Sequence, residues 1–209
     1  SRDGLTYTFK IRDGVKWHDG SLLTAKDIKA TYDKIAFPPP GVVSVRKASY
    51  AALERVEAPD ARTVVFRVKW PEASMLANLA SPWNFIYKAD ILAKDPRWYE
   101  KNVMGTGPFK FVEYVSGSHW VGKRHEDYFV KGRPYLDGFR ALFIRDTAAR
   151  LAAVRGGRAQ VEFRGDSPAA RDDLVRALGD KIVVQEISWI CALTVVINTE
   201  KKPFDDPRV

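Results

Sequence analysis

Apolar side chains recur at every second position in LTYTFKI, where Leu5, Tyr7, Phe9 and Ile11 share one side, so the stretch predicts a half-buried strand. The period then lengthens. In TAKDIKATYDKI, Ile28, Tyr32 and Ile35 form one helical stripe, with Thr24 at the N-cap and Asp27 completing a capping-box variant. The run FPPPG stops that helix, because proline cannot continue it. Between strand and helix, RDGVKWHDG reads as two turns closed by Gly14 and Gly20 around Trp17. VSVRKASYAALERVEAPD predicts a short helix and then a strand ending at the APDAR turn, with TVVFRV as the return arm of a hairpin. Pro71 is expected to open a helix over PEASMLANLA, NFIY to form a short strand, and residues 89–102 to be helical in one or two pieces around Pro96.

A second group of elements follows MGTGPFKFVEYV, where two glycines precede an alternating strand with which HWVGKRH can pair. GFRALFIRDTAARLAAVRGGRAQVEF reads as strand, helix, Gly-Gly stop and strand, with Asp146 and Thr147 at the helix start. SPAARDDLVRAL is a helix capped by Ser167 with Pro168 first, and KIVVQEI and ALTVVIN are predicted strands. The mixed order, strands slightly ahead of helices, gives a class between α/β and α+β. The change of texture near residues 95–103 is read as a domain boundary, and no internal repeat is visible.

The length of 209 residues suits one large domain or two small ones, and 45% apolar with 29% charged residues is ordinary for a globular chain. No apolar run approaches the ~20 residues that cross a bilayer. Ser1 to Gly4 lead directly into the first strand, so any targeting segment is expected to lie outside this sequence. The net charge of +8 raises nucleic acid as a partner, but its distribution argues against it. Residues 1–100 hold sixteen basic against twelve acidic residues and residues 101–209 eighteen against fourteen, interleaved throughout. Cys191 stands alone in the apolar run WICALTVVIN, which excludes an internal disulfide framework and reads as a buried, inert thiol.

The sequence carries few signs of catalytic chemistry. MGTGPFK lacks the third glycine of a dinucleotide fingerprint, since Lys110 stands there, and it lacks the Gly-Lys-Ser/Thr of a P-loop. RHEDYF begins like a zinc-protease motif, but Phe129 occupies the place of the second histidine. His119 and His125 have no third ligand nearby in sequence, and His18 and Asp19 are adjacent and expected to point apart. No G-x-S-x-G elbow, CxxC or clearly paired carboxylates occur, so nothing argues for an enzyme. Six tryptophans are many for this length. Those in irregular segments, Trp83 in ASPWNF and Trp189 in EISWICA, are the ones that can face a cleft, and Tyr50 after the basic VRKAS loop is a third aromatic candidate.

With these residues in view, the chain resembles the family 5 extracellular solute-binding proteins, the peptide-, nickel- and oligosaccharide-binding components of ABC importers. The resemblance is carried, in the family's order, by LTYTFKIRDGVKWHDGSLLTAKDI, DARTVVFRV, MGTGPFKFVEYVSG, YFVKGRPYLDGFRALFIRDTAARLAAVRGG and INTEKKPFDDPRV. It implies part of a type II periplasmic-binding-protein clamshell. Residues 1–98 would be the additional domain, and residues 99–209 part of the first main lobe, ending at the crossover to the second. It implies a monomeric binding protein without cofactor or metal, periplasmic or extracellular and lipid-anchored, that captures a small solute, first of all oligopeptide-like, and hands it to permease subunits. Ligand-facing positions implied in this way are Tyr50, Ser81, Trp83, Trp189, Cys191 and Asn198, with Arg46 placed to pair with a ligand carboxylate. Gln160 departs from the family's acidic position, and WNFIY is idiosyncratic. Peptide, opine, sugar, metal chelate and aromatic acid all stay open as ligands. A hydrolase on the same scaffold is the alternative from a different class.

Overall fold

Three consecutive apolar residues, Val64, Val65 and Phe66, with Val68 following Arg67, are unusual on a half-exposed strand, and TVVFRV is accordingly the centre of its sheet. The computed structural model describes residues 1–164, 167–186 and 196–208. It divides into two compact units, Ser1–Phe143 and Ile144–Val209. In the first unit, β1 (Thr6–Lys10), β2 (Leu53–Asp60) and β3 (Thr63–Val68) form an antiparallel sheet in the order β1-β3-β2. Phe9 stands opposite Val64 and Tyr7 opposite Phe66, so the predicted alternation of β1 meets β3 in register. Helix α1 (Ala25–Ala36) packs across β2 and β3 and buries Tyr32 and Ile35 of its stripe. Tyr32 and Phe66 meet edge to face at 4.9 Å inside this core.

The helix start is held as its sequence predicts. The Asp27 carboxylate accepts from the Thr24 N–H at 2.8 Å and from the Thr24 hydroxyl at 3.1 Å. Its other oxygen accepts from the N–H of Ala89 at 2.8 Å, which ties α1 to α3 (Ala89–Lys94). Asp27 is therefore buried and satisfied.

A second antiparallel sheet, in the order β4-β5-β6, is built from β4 (Phe109–Val115), β5 (His119–Arg124) and β6 (Gly138–Leu142). Phe111, Gly122 and Phe139 stand side by side across it, as do Tyr114, Trp120 and Ala141. In the second unit, α4 (Thr147–Arg155) is capped by Asp146, whose carboxylate accepts from the Ala149 N–H at 2.7 Å. It packs with α5 (Pro168–Leu178), whose Ser167 cap accepts from Ala170 at 3.3 Å.

Four expectations change. Helix α2 spans only Met75–Leu79, because Glu72 turns the chain instead: its carboxylate accepts from the Ser74 hydroxyl at 2.7 Å. NFIY is not a strand. Its polar partner is a helix side chain, Thr31, whose hydroxyl accepts from the Tyr87 N–H at 2.8 Å, so no ladder forms. RAQVEF and the described part of KIVVQEI are not strands either, since among the described residues no strand pairs with them. ALTVVIN lies mostly outside the described residues.

Candidate functional site

Two irregular segments of the first unit are stapled together beneath Arg46 and Trp83. The first follows the proline stop of α1 and closes in a single 3-10 turn, Lys47–Tyr50, which drives Tyr50 into the core. The second leaves α2 and carries Ser81, Trp83 and Asn84. Tyr50 is 3% exposed, and its hydroxyl donates to the Asn78 carbonyl at 2.9 Å. Asn84 Nδ2 donates to the Tyr50 hydroxyl at 2.7 Å and to the Asn78 carbonyl at 2.6 Å, while Asn78 Nδ2 donates back to the Ser49 carbonyl at 2.8 Å. Burial raises the Tyr50 hydroxyl above its ordinary pKa, with the Asn84 bond working the other way, so the group stays a neutral donor.

On this base the Arg46 guanidinium lies 5.9 Å from the centre of the Trp83 ring, within cation–π range. One of its N–H groups is 3.5 Å from the Ser81 hydroxyl, the outer edge of hydrogen bonding. Trp83 is 63% exposed. Among the described residues Arg46 has no carboxylate partner, and Asn84 Oδ1 is buried without a hydrogen-bond partner. The arrangement offers a cation with open donor positions on an exposed indole.

Of the residues singled out by sequence, the structure brings together Arg46, Tyr50, Ser81 and Trp83, with Tyr50 inside and the other three toward the surface. Asn198 belongs to the second unit, where it is exposed and its side chain accepts from the Glu200 N–H at 2.9 Å. Trp189 and Cys191 lie outside the described residues. Sequence reasoning passed over Asn78 and Asn84. Their only signal is position, one in the last turn of a short helix and the other past a Ser-Pro turn, where side-chain amides bond to backbone.

A second constellation has the hydrogen-bonded order of a catalytic triad. Ser118 Oγ and His119 Nδ1 are 2.8 Å apart, and His119 Nε2 is 2.9 Å from Glu113 Oε1. Its surroundings do not suit nucleophilic catalysis. Arg140 brings a guanidinium nitrogen within 3.2 and 3.3 Å of the two ring nitrogens, and His119 is 8% exposed, so ring and partners are tied up within the sheet rather than open to a substrate. Two open depressions of the first unit, of about 450 and 410 Å³, are not lined by Ser118. The network fastens the β4–β5 turn to β6.

The chain matches the family described as bacterial extracellular solute-binding proteins, family 5 Middle, over residues 1–209. It belongs to that family. This family 5 chain is 37% identical, over 90% of its length, to a Brucella ovis protein provisionally named an ABC transporter peptide-binding protein. It is 29% identical over its whole length to the glutathione-binding protein GsiB of Pectobacterium atrosepticum. Its fold superposes with a TM-score of 0.80 and 28% identity on the binding protein MoaA of A. tumefaciens R10, solved with mannopinic acid, over 98% of this chain. The chain spans 37% and 40% of the two relatives and 41% of MoaA. The mixed fold with two small sheets is thus part of a periplasmic-binding-protein architecture, and the relatives are binding components rather than enzymes. Among the described residues no helix is long and apolar enough to cross a membrane.

Proposed function

We propose that the protein is the substrate-binding component of an ABC importer that captures a small peptide-like solute between two lobes and delivers it to permease subunits. It works as a monomer in the periplasm, or outside the cell on a lipid anchor. Residues 1–98 act as the additional domain and residues 99–209 as part of the first main lobe. Arg46 takes a ligand carboxylate through its free N–H groups, Trp83 covers an apolar part of the ligand, and Ser81 adds a hydroxyl. Tyr50 fixes the two segments in place. Trp189, Cys191 and Asn198, in the stretch whose sequence predicts a strand leading to the crossover, are proposed as further ligand contacts.

The observation that carries this reading is the Arg46–Trp83 pair, a cation held on an exposed ring with no carboxylate of its own among the described residues. Peptide rather than sugar is favoured because a free C-terminus matches that cation, and because the Brucella relative is named for peptide binding. Calorimetric titration with di- and tripeptides, and with the same peptides amidated at the C-terminus, tests it. Arg46→Gln is expected to weaken binding about 10- to 100-fold, the worth of a charge-assisted hydrogen bond, and amidation to cost the unaltered protein a similar factor. Equal affinity for acid and amide would overturn the carboxylate assignment. Failure of every peptide, with a sugar or metal chelate raising the melting temperature instead, would overturn the ligand class.

A further inference from the structure

Three segments distant in sequence converge on one peptide oxygen in the first unit. His18 Nε2 lies 3.1 Å from the Gly107 carbonyl oxygen, and His125 Nδ1 lies 3.0 Å from the same atom. A carbonyl oxygen only accepts, so each ring nitrogen must carry a proton: His18 is the Nε2–H tautomer and His125 the Nδ1–H tautomer. The rings meet edge to face with centroids 5.0 Å apart. Main-chain bonds run alongside, from His18 N to the Gly105 carbonyl and from His125 N to the Pro108 carbonyl, both 2.9 Å. The WHDG turn stands between β1 and α1 of the first sheet's layer, GTGPF leads into β4, and RHED leaves β5. One knot therefore joins the two sheets.

This knot has little room for an added charge. His125 is 1% exposed, and its Nε2 has no hydrogen-bond partner among the described residues. His18 is faced by the His125 ring from the RHED segment and by Lys110 of β4, both opposing a positive charge. On its own turn Asp19 favours that charge, but its carboxylate is already engaged by Lys88 and by the Ser21 hydroxyl and N–H. Burial first, then His125 and Lys110, hold the His18 imidazole below its ordinary pKa, while the Gly107 carbonyl and Asp19 pull the other way without prevailing. The exposed Lys16–Asp127 pair, 3.1 Å apart, spans the same junction but contributes little.

We propose that His18 and His125, closed on the Gly107 carbonyl, form a pH-operated latch between the two sheets that holds at neutral pH and loosens in mild acid. An unfolded histidine takes up its proton near about pH 6.5, whereas the latched His18 ring does so only at lower pH. Over that interval the opened state binds more protons than the closed one. Stability contributed by the latch is thus complete above about pH 6.5 and is lost as pH falls through the folded value.

The test compares urea unfolding and amide exchange at about pH 7.5 and about pH 5. The double variant His18→Gln/His125→Asn serves as reference, because Gln places an amide nitrogen where Nε2 stood and Asn where Nδ1 stood, keeping both donors without a titrating group. The unaltered protein is expected to lose unfolding midpoint in acid, and the variant to lose clearly less. Protection of the His18 and His125 amides, corrected for intrinsic rates, should fall about threefold or more while β3 stays protected. An equal loss in both proteins, or simultaneous loss in β3 and the latch, would overturn the proposal. Where the variant does not fold, ring-proton titration of His18 in the unaltered protein decides: a midpoint below that of a peptide histidine supports the latch, and one at or above it sinks the idea.

Discussion

The two sheets of the first unit are both three-stranded and antiparallel, and the second holds more aromatic residues, yet the two bury them very differently. In β1-β3-β2 the central strand is covered by α1, and Phe66 is 3% exposed, packed edge to face on Tyr32 and Phe9. In β4-β5-β6 the aromatics gather around Phe139, with Phe109 and Trp120 each 5.1 Å from it, but Trp120 is still 39% exposed. Within this unit the extensive packing of the second sheet is between its own strands. The first sheet gains its stability from area removed from water by a covering helix. The second relies on strand pairing and ring-to-ring contact, with less desolvation behind it. Aromatic content alone does not make a core; a covering layer does.

Three substitutions can break or sharpen this contrast. Phe66→Ala should be the most damaging, at about 3–5 kcal/mol in urea unfolding, because it empties the covered core. Gly138→Ala should come next, at about 1–3 kcal/mol, since the added carbon would sit 2.5 Å from the Gly122 carbonyl oxygen, a backbone atom that cannot step aside. At Gly122 the obstruction is instead the Phe139 ring edge, also at 2.5 Å, so that sheet is limited by close approach of its strands as much as by apolar area. Trp120→Ala should cost least, about 1–2 kcal/mol, because much of the ring already meets water. A Trp120→Ala loss equal to that of Phe66→Ala would show that both sheets are buried alike in the working protein.

Local chemistry explains what could be read in advance. Helix α1 was legible to its cap because Thr24, Asp27, the Ile28–Tyr32–Ile35 stripe and the prolines all agree within seventeen residues. The β2–β3 and β4–β5 hairpins were legible because their arms are short, alternating and joined by turn residues. NFIY and RAQVEF have the composition of strands but, among the described residues, lack a neighbour with which to exchange hydrogen bonds, and no local rule reports the absence of a partner. At the candidate site, sequence pointed to Arg46, Tyr50, Ser81 and Trp83 through residue type and the family resemblance. It gave no sign that Asn78 and Asn84 would staple them together.

The sequence by itself determined the caps, the helix stop, the hairpins and the family of this chain, because each rests on neighbours along the chain or on ordered motifs. Tertiary structure alone decided that Tyr50 turns inward while Trp83 stays exposed, and that His18 and His125, 107 residues apart, close on one carbonyl. Such choices depend on which layer covers which face and on which donors find an unclaimed acceptor. Those are properties of the folded arrangement, set by desolvation and hydrogen-bond satisfaction between segments that no spacing rule connects.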